Sequence, residues 1–287
     1  MPILAFTNFR ALNIEKGIIV KMKSSLKYYL LILKSFIRNN LIINMEYRSN
    51  FVIRGIFSTI WTLVQIIFIS LIFYNTKSLK GWSKYEMMLL FGVDQIIFAF
   101  FIAFSYSSLS RVDDLIVKGT MDYVLIKPVN EKFYLSLNKI DMFQITPVIF
   151  GLAISIYSII KLNITINIYQ YIIVITLIII GVIILHSIYL ICVSLSFRYL
   201  KTNFVRSIIL SFIGCMIYPL DIYNGLFKII IIIFIPVGII VDFPVRILVK
   251  DLPLGKLLYL FFIALIFSFI SSQIWKKSIK SYISASS

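Results

Sequence analysis

The 287-residue chain is 60% hydrophobic and only 14% charged, carries a formal charge of +16 and has a mean hydropathy of +0.98. That apolar content exceeds what a soluble core can bury, so lipid is the solvent for part of it, and several apolar runs have the ~20 residues that cross ~30 Å of hydrocarbon as a helix. The cations lie at the ends of these runs rather than on one soluble face, which excludes a nucleic-acid surface and makes them topology signals.

Residues 1–22 read as an N-terminal extension, broken by Arg10, Glu15 and Lys16 and without the apolar core of a cleavable leader; Met22 is a candidate start. Residues 23–50 read as an amphipathic interfacial helix. Leu26, Tyr29, Leu30, Leu33, Phe36 and Ile37 recur at three- and four-residue steps, Lys27, Lys34 and Arg38 share the other side, and Glu46 and Arg48 follow. Residues 51–275 form a six-span domain, and 276–287 a tail.

The spans are expected at 56–74, 87–109, 140–160, 171–197, 207–220 and 257–275. The run 226–241, interrupted by Pro236, is read as a re-entrant or interfacial element between spans five and six. With six crossings, Arg48, Arg54, Arg111, Lys118, Lys127, Lys132, Lys139, Arg198, Lys201, Arg206, Lys276, Lys277 and Lys280 fall on one side. That side is the cytoplasm, and both termini lie there. A seventh crossing would export the terminal lysines.

The loop 110–139 is the most informative soluble segment. Gly119 can end one short helix, Thr120 can cap the next and Pro128 stops it, leaving a short amphipathic element that reads either as a solvated connector or as a docking lever. Inside the spans, Asp94 demands a partner, a proton or a water-lined path. It is either helix-packing glue or part of a substrate route, and Gln65 shares that ambiguity. His186 reads as a packing residue or a proton relay, and Pro147 is a kink candidate in the third span. Trp82, Tyr85 and Trp275 fit an aromatic belt, and Cys192 and Cys215 are apolar fillers. No phosphate loop, serine elbow or zinc helix is present in the sequence, and no metal site is indicated.

Met45-Glu46-Tyr47-Arg48 before the first span, Gly81-Trp82-Ser83 before the second, Lys118 to Leu125 with Lys127-Pro128 in the loop, and Tyr218-Pro219 before the re-entrant run occur in a characteristic order. In that order the chain resembles the permease subunits of ABC type-2 transporters, in their six-span exporter branch, from about Met22 to Tyr282. The resemblance implies an all-α polytopic membrane helical bundle whose loop inserts into a separate ABC ATPase subunit, with the interfacial helix bracing the contact. Leu115, Lys118, Gly119, Thr120, Asp122, Leu125, Lys127 and Pro128 would then shape the coupling element. ATP and Mg belong to that partner, and this chain binds no cofactor. A second permease subunit, alike or paralogous, completes the exporter. Asp94 and Gln65 are candidates for the translocation path, and Tyr218, Pro219 and Pro236 for an outer gate. The Ile, Lys and Asn richness fits a bacterial plasma-membrane protein. The rival readings are a lipid- or isoprenoid-modifying membrane enzyme using Asp113, Asp114 and Asp122, and a passive channel or scaffold.

Overall fold

The computed structural model describes residues 26–46, 48–199, 203–250 and 252–282; the extension 1–22 and the side chain of Arg48 lie outside the described residues. The described chain is helical throughout, with one isolated bridge between Leu79 and Trp82 and no strand. Helix α1 (Leu26–Glu46) is the amphipathic segment, and α2 (Arg48–Ile72) is the first span. The second, α3 (Lys84–Phe101), continues through a π turn at Ile102–Tyr106 and a last turn at Ser107–Leu109.

Three short helices follow: α4 (Val112–Val117), α5 (Asp122–Leu125) and α6 (Glu131–Leu137). The long helices α7 (Ile145–Leu162) and α8 (Ile168–Ser194) are the third and fourth spans. The fifth, α9 (Asn203–Ile213), is extended by a 3-10 turn at Gly214–Ile217. Helix α10 (Gly225–Ile229) runs into a π turn at Ile230–Phe234, α11 (Gly238–Val249) follows, and α12 (Leu254–Lys280) closes the bundle.

Among the described residues five helices are long and apolar enough to cross a membrane, and α9 with its extension is a shorter apolar helix. The pair α10–α11 also has the length and composition of one span but is bent by 89°. Its ends decide how it runs. Arg246 and Lys250 at the close of α11 contact Asp221 and the Gly81 carbonyl, and Asp221 lies just before α10. Both ends are therefore at one rim of the bundle, which we call the Trp82 rim, and the pair is re-entrant. By contrast α9 begins beside Ser110 and Asp113 and leads to Asp221, so it runs from the opposite rim, the loop rim, to the Trp82 rim. Six elements thus run rim to rim.

The middle of the bundle is α3, the most buried span, while only 11% of the span window in α2 is buried. Helices α3 and α7 approach closely at Gly92 and Gly151: a Cβ on Gly92 would lie 2.8 Å from the Gly151 carbonyl oxygen, and one on Gly151 2.7 Å from the Gly92 carbonyl oxygen. Small residues let backbones meet where no hydrophobic drive between helices exists, which is how two lipid-solvated helices gain van der Waals contact. Helix α11 is buried on nearly all sides, so protein shields the irregular backbone at residues 235–237.

Element boundaries depart from the sequence reading where polar residues enter helices. Span two starts at Lys84 because Ser83 and Glu86 form a capping box. The re-entrant element reaches Val249 rather than 241, because Asp242 and Arg246, one turn apart, pair with each other. Thr120 does not cap α5; its hydroxyl donates back to the Leu115 carbonyl, and Met121 stands at the cap. Pro147 lies in the first turn of α7, where a missing N–H breaks no bond, so it introduces no kink. Trp82 and Trp275 are buried, at 0% and 1% exposure, and neither belongs to an aromatic belt.

Candidate functional site

The loop rim is built on α1. Tyr28 donates to the Pro128 carbonyl at 3.2 Å, Tyr29 and Phe36 pack edge-on or tilted against Phe133 and Tyr134 of α6, and Asn40 donates to the Asn138 carbonyl at 3.0 Å. The interfacial helix is thus bolted to the loop, while Lys27, Lys34, Arg38 and Glu46 point outward or along its flanks. Asn138 also accepts from Ser108, which ties α6 to the end of α3.

Between these anchors the chain turns at Gly119, whose φ of 66° only glycine adopts freely. Val112, Ile116, Met121 and Val124 face the core. Val117, Tyr123, Leu125 and Ile126 face out, at 61, 68, 38 and 78% exposure. This is an apolar row on the polar end of a membrane protein, with exposed Lys118 at its edge. Leu115 is half-buried against the core, and Asp122 lies beside Tyr282. Lys127 donates to the Tyr134 hydroxyl at 2.5 Å and lies 3.9 Å from that ring's centroid, so it is already engaged within the chain.

The rim is also crowded with positive charge. Burial, then nearby Lys276, lowers the pKa of the Lys132 ammonium. Burial, then Arg111, lowers that of Lys139, with Arg54 adding to the effect and Asp141 opposing it. Asp113 of α4 forms a part-buried ion pair with Arg206 of α9, and Arg206 also donates to the Ser110 carbonyl at 3.1 Å.

The Trp82 rim has the opposite character. Lys80 and Gly81, both at positive φ, make a tight turn closed by reciprocal bonds between Leu79 and Trp82, at 2.9 and 3.0 Å. The turn drives Trp82 inward. Its Nε1 donates to Asp221 at 2.9 Å, and its ring lies under the Lys250 ammonium (3.9 Å) and the Arg246 guanidinium (5.1 Å). Arg246 binds Asp221 at 2.6 Å and also pairs with Asp242, which accepts the Leu220 N–H at 3.1 Å. Burial pushes the Asp221 carboxyl up, but the hydrogen bonds from Trp82 and Arg246 and the Arg246 charge outweigh it and hold the pKa below the usual carboxylate range. Tyr218 is half-buried, and Pro219 and Pro236 are buried beside this network and at the bend.

Within the spans, Asp94 is buried at 7% exposure, with no hydrogen bond to any described residue. It lies on the side of α3 away from Gly92 and the α7 contact. Gln65 is half-buried on α2. His186 has a partner, Ser105 at 3.0 Å, presented by the π turn of α3. No group of three His, Cys, Asp or Glu able to hold a metal occurs among the described residues, and Asp113 of the rival metal set is paired with Arg206.

The Trp82 network was not singled out from the sequence, although the Asp242-x-x-x-Arg246 spacing is a readable signal. Nor were Val117, Tyr123 and Ile126, which look like ordinary core residues in a hydrophobic loop. No curated protein matches the sequence significantly. A family model described as ABC-2 family transporter protein matches residues 59–286, which leaves out α1 and the start of the first span and takes in the loop 110–139 and the Trp82 rim. The chain is a multi-pass membrane protein that belongs to the ABC-2 transporter family, the membrane permeases of ABC transporters.

Proposed function

We propose that the chain is the permease subunit of a bacterial plasma-membrane exporter, powered by ATP hydrolysed on a separate ABC ATPase subunit that docks on the loop rim. The family generally works with such a partner. The carrying observation is the exposed row Val117, Tyr123, Leu125 and Ile126. Apolar side chains held out into water at the end of a bundle mark a protein interface, and aromatic or aliphatic anchors of this kind carry most docking energy. Exposed Lys118 at the edge of the row and the cations crowded on the same rim favour an acidic partner surface. Helix α1 braces the loop from behind, so a push on the row is delivered to α3 and α9 rather than absorbed.

In this reading the loop rim and both termini are cytoplasmic, as the clustering of cations supports. Two permease subunits, alike or paralogous, enclose the route, with Asp94 and Gln65 on its wall. An unpaired carboxylate at mid-span costs about 2.5–3.5 kcal/mol on insertion scales, a cost that a hydrated route or a cationic group would relieve. Tyr218, Pro219, Pro236 and the re-entrant pair form the outer gate. Nucleotide and Mg stay on the ATPase.

The test is recovery of the ATPase subunit with the affinity-tagged permease. We expect co-purification and nucleotide turnover that depends on the permease. Permease that purifies folded but alone when co-expressed with the ATPase would reject the reading.

A further inference from the structure

We propose that the short fifth span is a push-rod, fixed at both ends by charged side chains, that ties the position of the loop rim to the closure of the Trp82 rim. Its functional meaning rests on the loop rim being the ATPase site. At one end Arg206, 9% exposed, is held by Asp113 and by the Ser110 carbonyl. At the other, Leu220 and Asp221 are held by Asp242, Arg246 and Trp82.

Between these fixings the rod is gripped on one face, where Ile209, Ile213 and Met216 are buried in the core, and open on the other. Ser207, Ile208, Ser211 and Gly214 are exposed, and a Cβ on Gly214 would meet nothing within 4 Å. The helical part of the rod, Arg206 to Ile217, is about 18 Å long at 1.5 Å per α-helical and 2.0 Å per 3-10 residue, and the extended pair Tyr218-Pro219 joins it to Leu220 and Asp221. A helix this short cannot bend far without breaking backbone bonds, so its two ends move together, and the half-buried Tyr218 and buried Pro219 pass that motion on to Asp221.

The connections at each end determine what is moved. Asp113 is in α4, the helix whose other end leads through Gly119 into the exposed apolar row, so displacement of that row shifts Asp113 and, with it, Arg206. At the far end Asp221 shares Arg246 with Asp242, so the arm α11 follows α9 and Trp82 is uncovered or covered as it moves. Separating Arg206 from Asp113, or Arg246 from buried Asp242, leaves a charge in a poorly hydrated place, which makes the linkage two-state rather than compliant. Arg206 and Asp113 are positioning residues, since neither lies at the gate.

The test reads the far end while changing the near one. Cys192 and Cys215 are replaced by alanine, and spin labels are placed at Ser78→Cys and Asn224→Cys, both exposed on the Trp82 rim. In nanodiscs, without the ATPase, Arg206→Ala and Asp113→Ala should each broaden the label distance distribution. Arg206→Lys should do so less, and the swap Asp113→Arg with Arg206→Asp should recover the narrow distribution. Single variants that elute as folded protein with the parent distribution overturn the push-rod. With the ATPase and a non-hydrolysable nucleotide, the parent should shift between two distances. Arg206→Ala should cut that population shift about fivefold or more while the ATPase still co-purifies. An undiminished shift in Arg206→Ala also overturns the push-rod. Failure of the ATPase to co-purify with the parent overturns the permease reading instead, and the nanodisc experiment alone then decides the inference.

Discussion

The two rims of the bundle solve opposite problems with the same residue types. At the Trp82 rim, Asp221, Asp242, Arg246 and Lys250 are turned inward on one another and on a buried tryptophan, so the charged groups close on the chain itself, although Leu226 and Phe234 of the re-entrant element stay exposed. At the loop rim the core is equally well packed by Met121 and Val124, yet Val117, Tyr123 and Ile126 are left outside it. The first arrangement holds the chain to itself, and the second leaves surface for another chain. A protein that had only to persist in the bilayer would not need the contrast.

The contrast breaks most visibly at Arg246. Arg246→Ala leaves Asp242 buried without its cation, and we expect about 3–5 kcal/mol of destabilisation, read as a large fall in melting temperature in detergent, with Arg246→Lys intermediate. An unshifted melt would mean that the Trp82 rim is not held by charge. Next in size, Gly92→Leu forces a side chain against the Gly151 backbone and should cost roughly 1–3 kcal/mol, with loosened α3–α7 packing seen as faster hydrogen exchange in both helices. Exchange rates equal to those of the parent would remove the close approach. On the loop rim, Ile126→Glu and Tyr123→Glu should leave the melt unchanged but weaken ATPase binding by about 2 kcal/mol each, roughly thirtyfold in Kd. A drop in melting temperature with intact binding would reverse the roles of the two rims.

The smallest effect sharpens the comparison through pH. The Asp221 carboxyl is held below its unfolded value, so the stability it contributes is fully present above the usual carboxylate pKa and is lost only as pH falls through the lower, folded value. The closed rim should therefore persist through mildly acidic conditions. Its loss, followed by Trp82 fluorescence in a chain with Trp61 and Trp275 replaced by phenylalanine, should begin only below that range and be absent in Asp221→Asn. Opening near neutral pH in the parent would contradict this assignment.

How far the sequence carried each region differs for physical reasons. Apolar length and cation placement were enough to read a helical membrane bundle and a re-entrant run broken at Pro236, because both follow from local composition. The extent of α11 was not legible, since Asp242 and Arg246 look like loop residues until helical spacing pairs them. The resemblance assigns Lys127 to the coupling element, but the aromatic ring that engages it, Tyr134, belongs to a third short helix that Asn130 caps and that only the folded loop reveals. Trp82 and Trp275 were placed by a rule for span ends, which fails where another element folds over the end. Apart from Leu125, the exposed row was invisible for the opposite reason: composition marks Ile126 as core, and only the packing of Met121 and Val124 beneath it leaves it outside.

The most direct measurement is accessibility of Ile126→Cys to an impermeant maleimide in sealed vesicles of each orientation, with and without the ATPase subunit. A cytoplasmic docking rim predicts labelling only in inverted vesicles, strong protection once the ATPase is added, and the reverse sidedness with no protection at Ser78→Cys. Labelling of Ile126→Cys from the outer side, or labelling that a bound ATPase does not diminish, would contradict it.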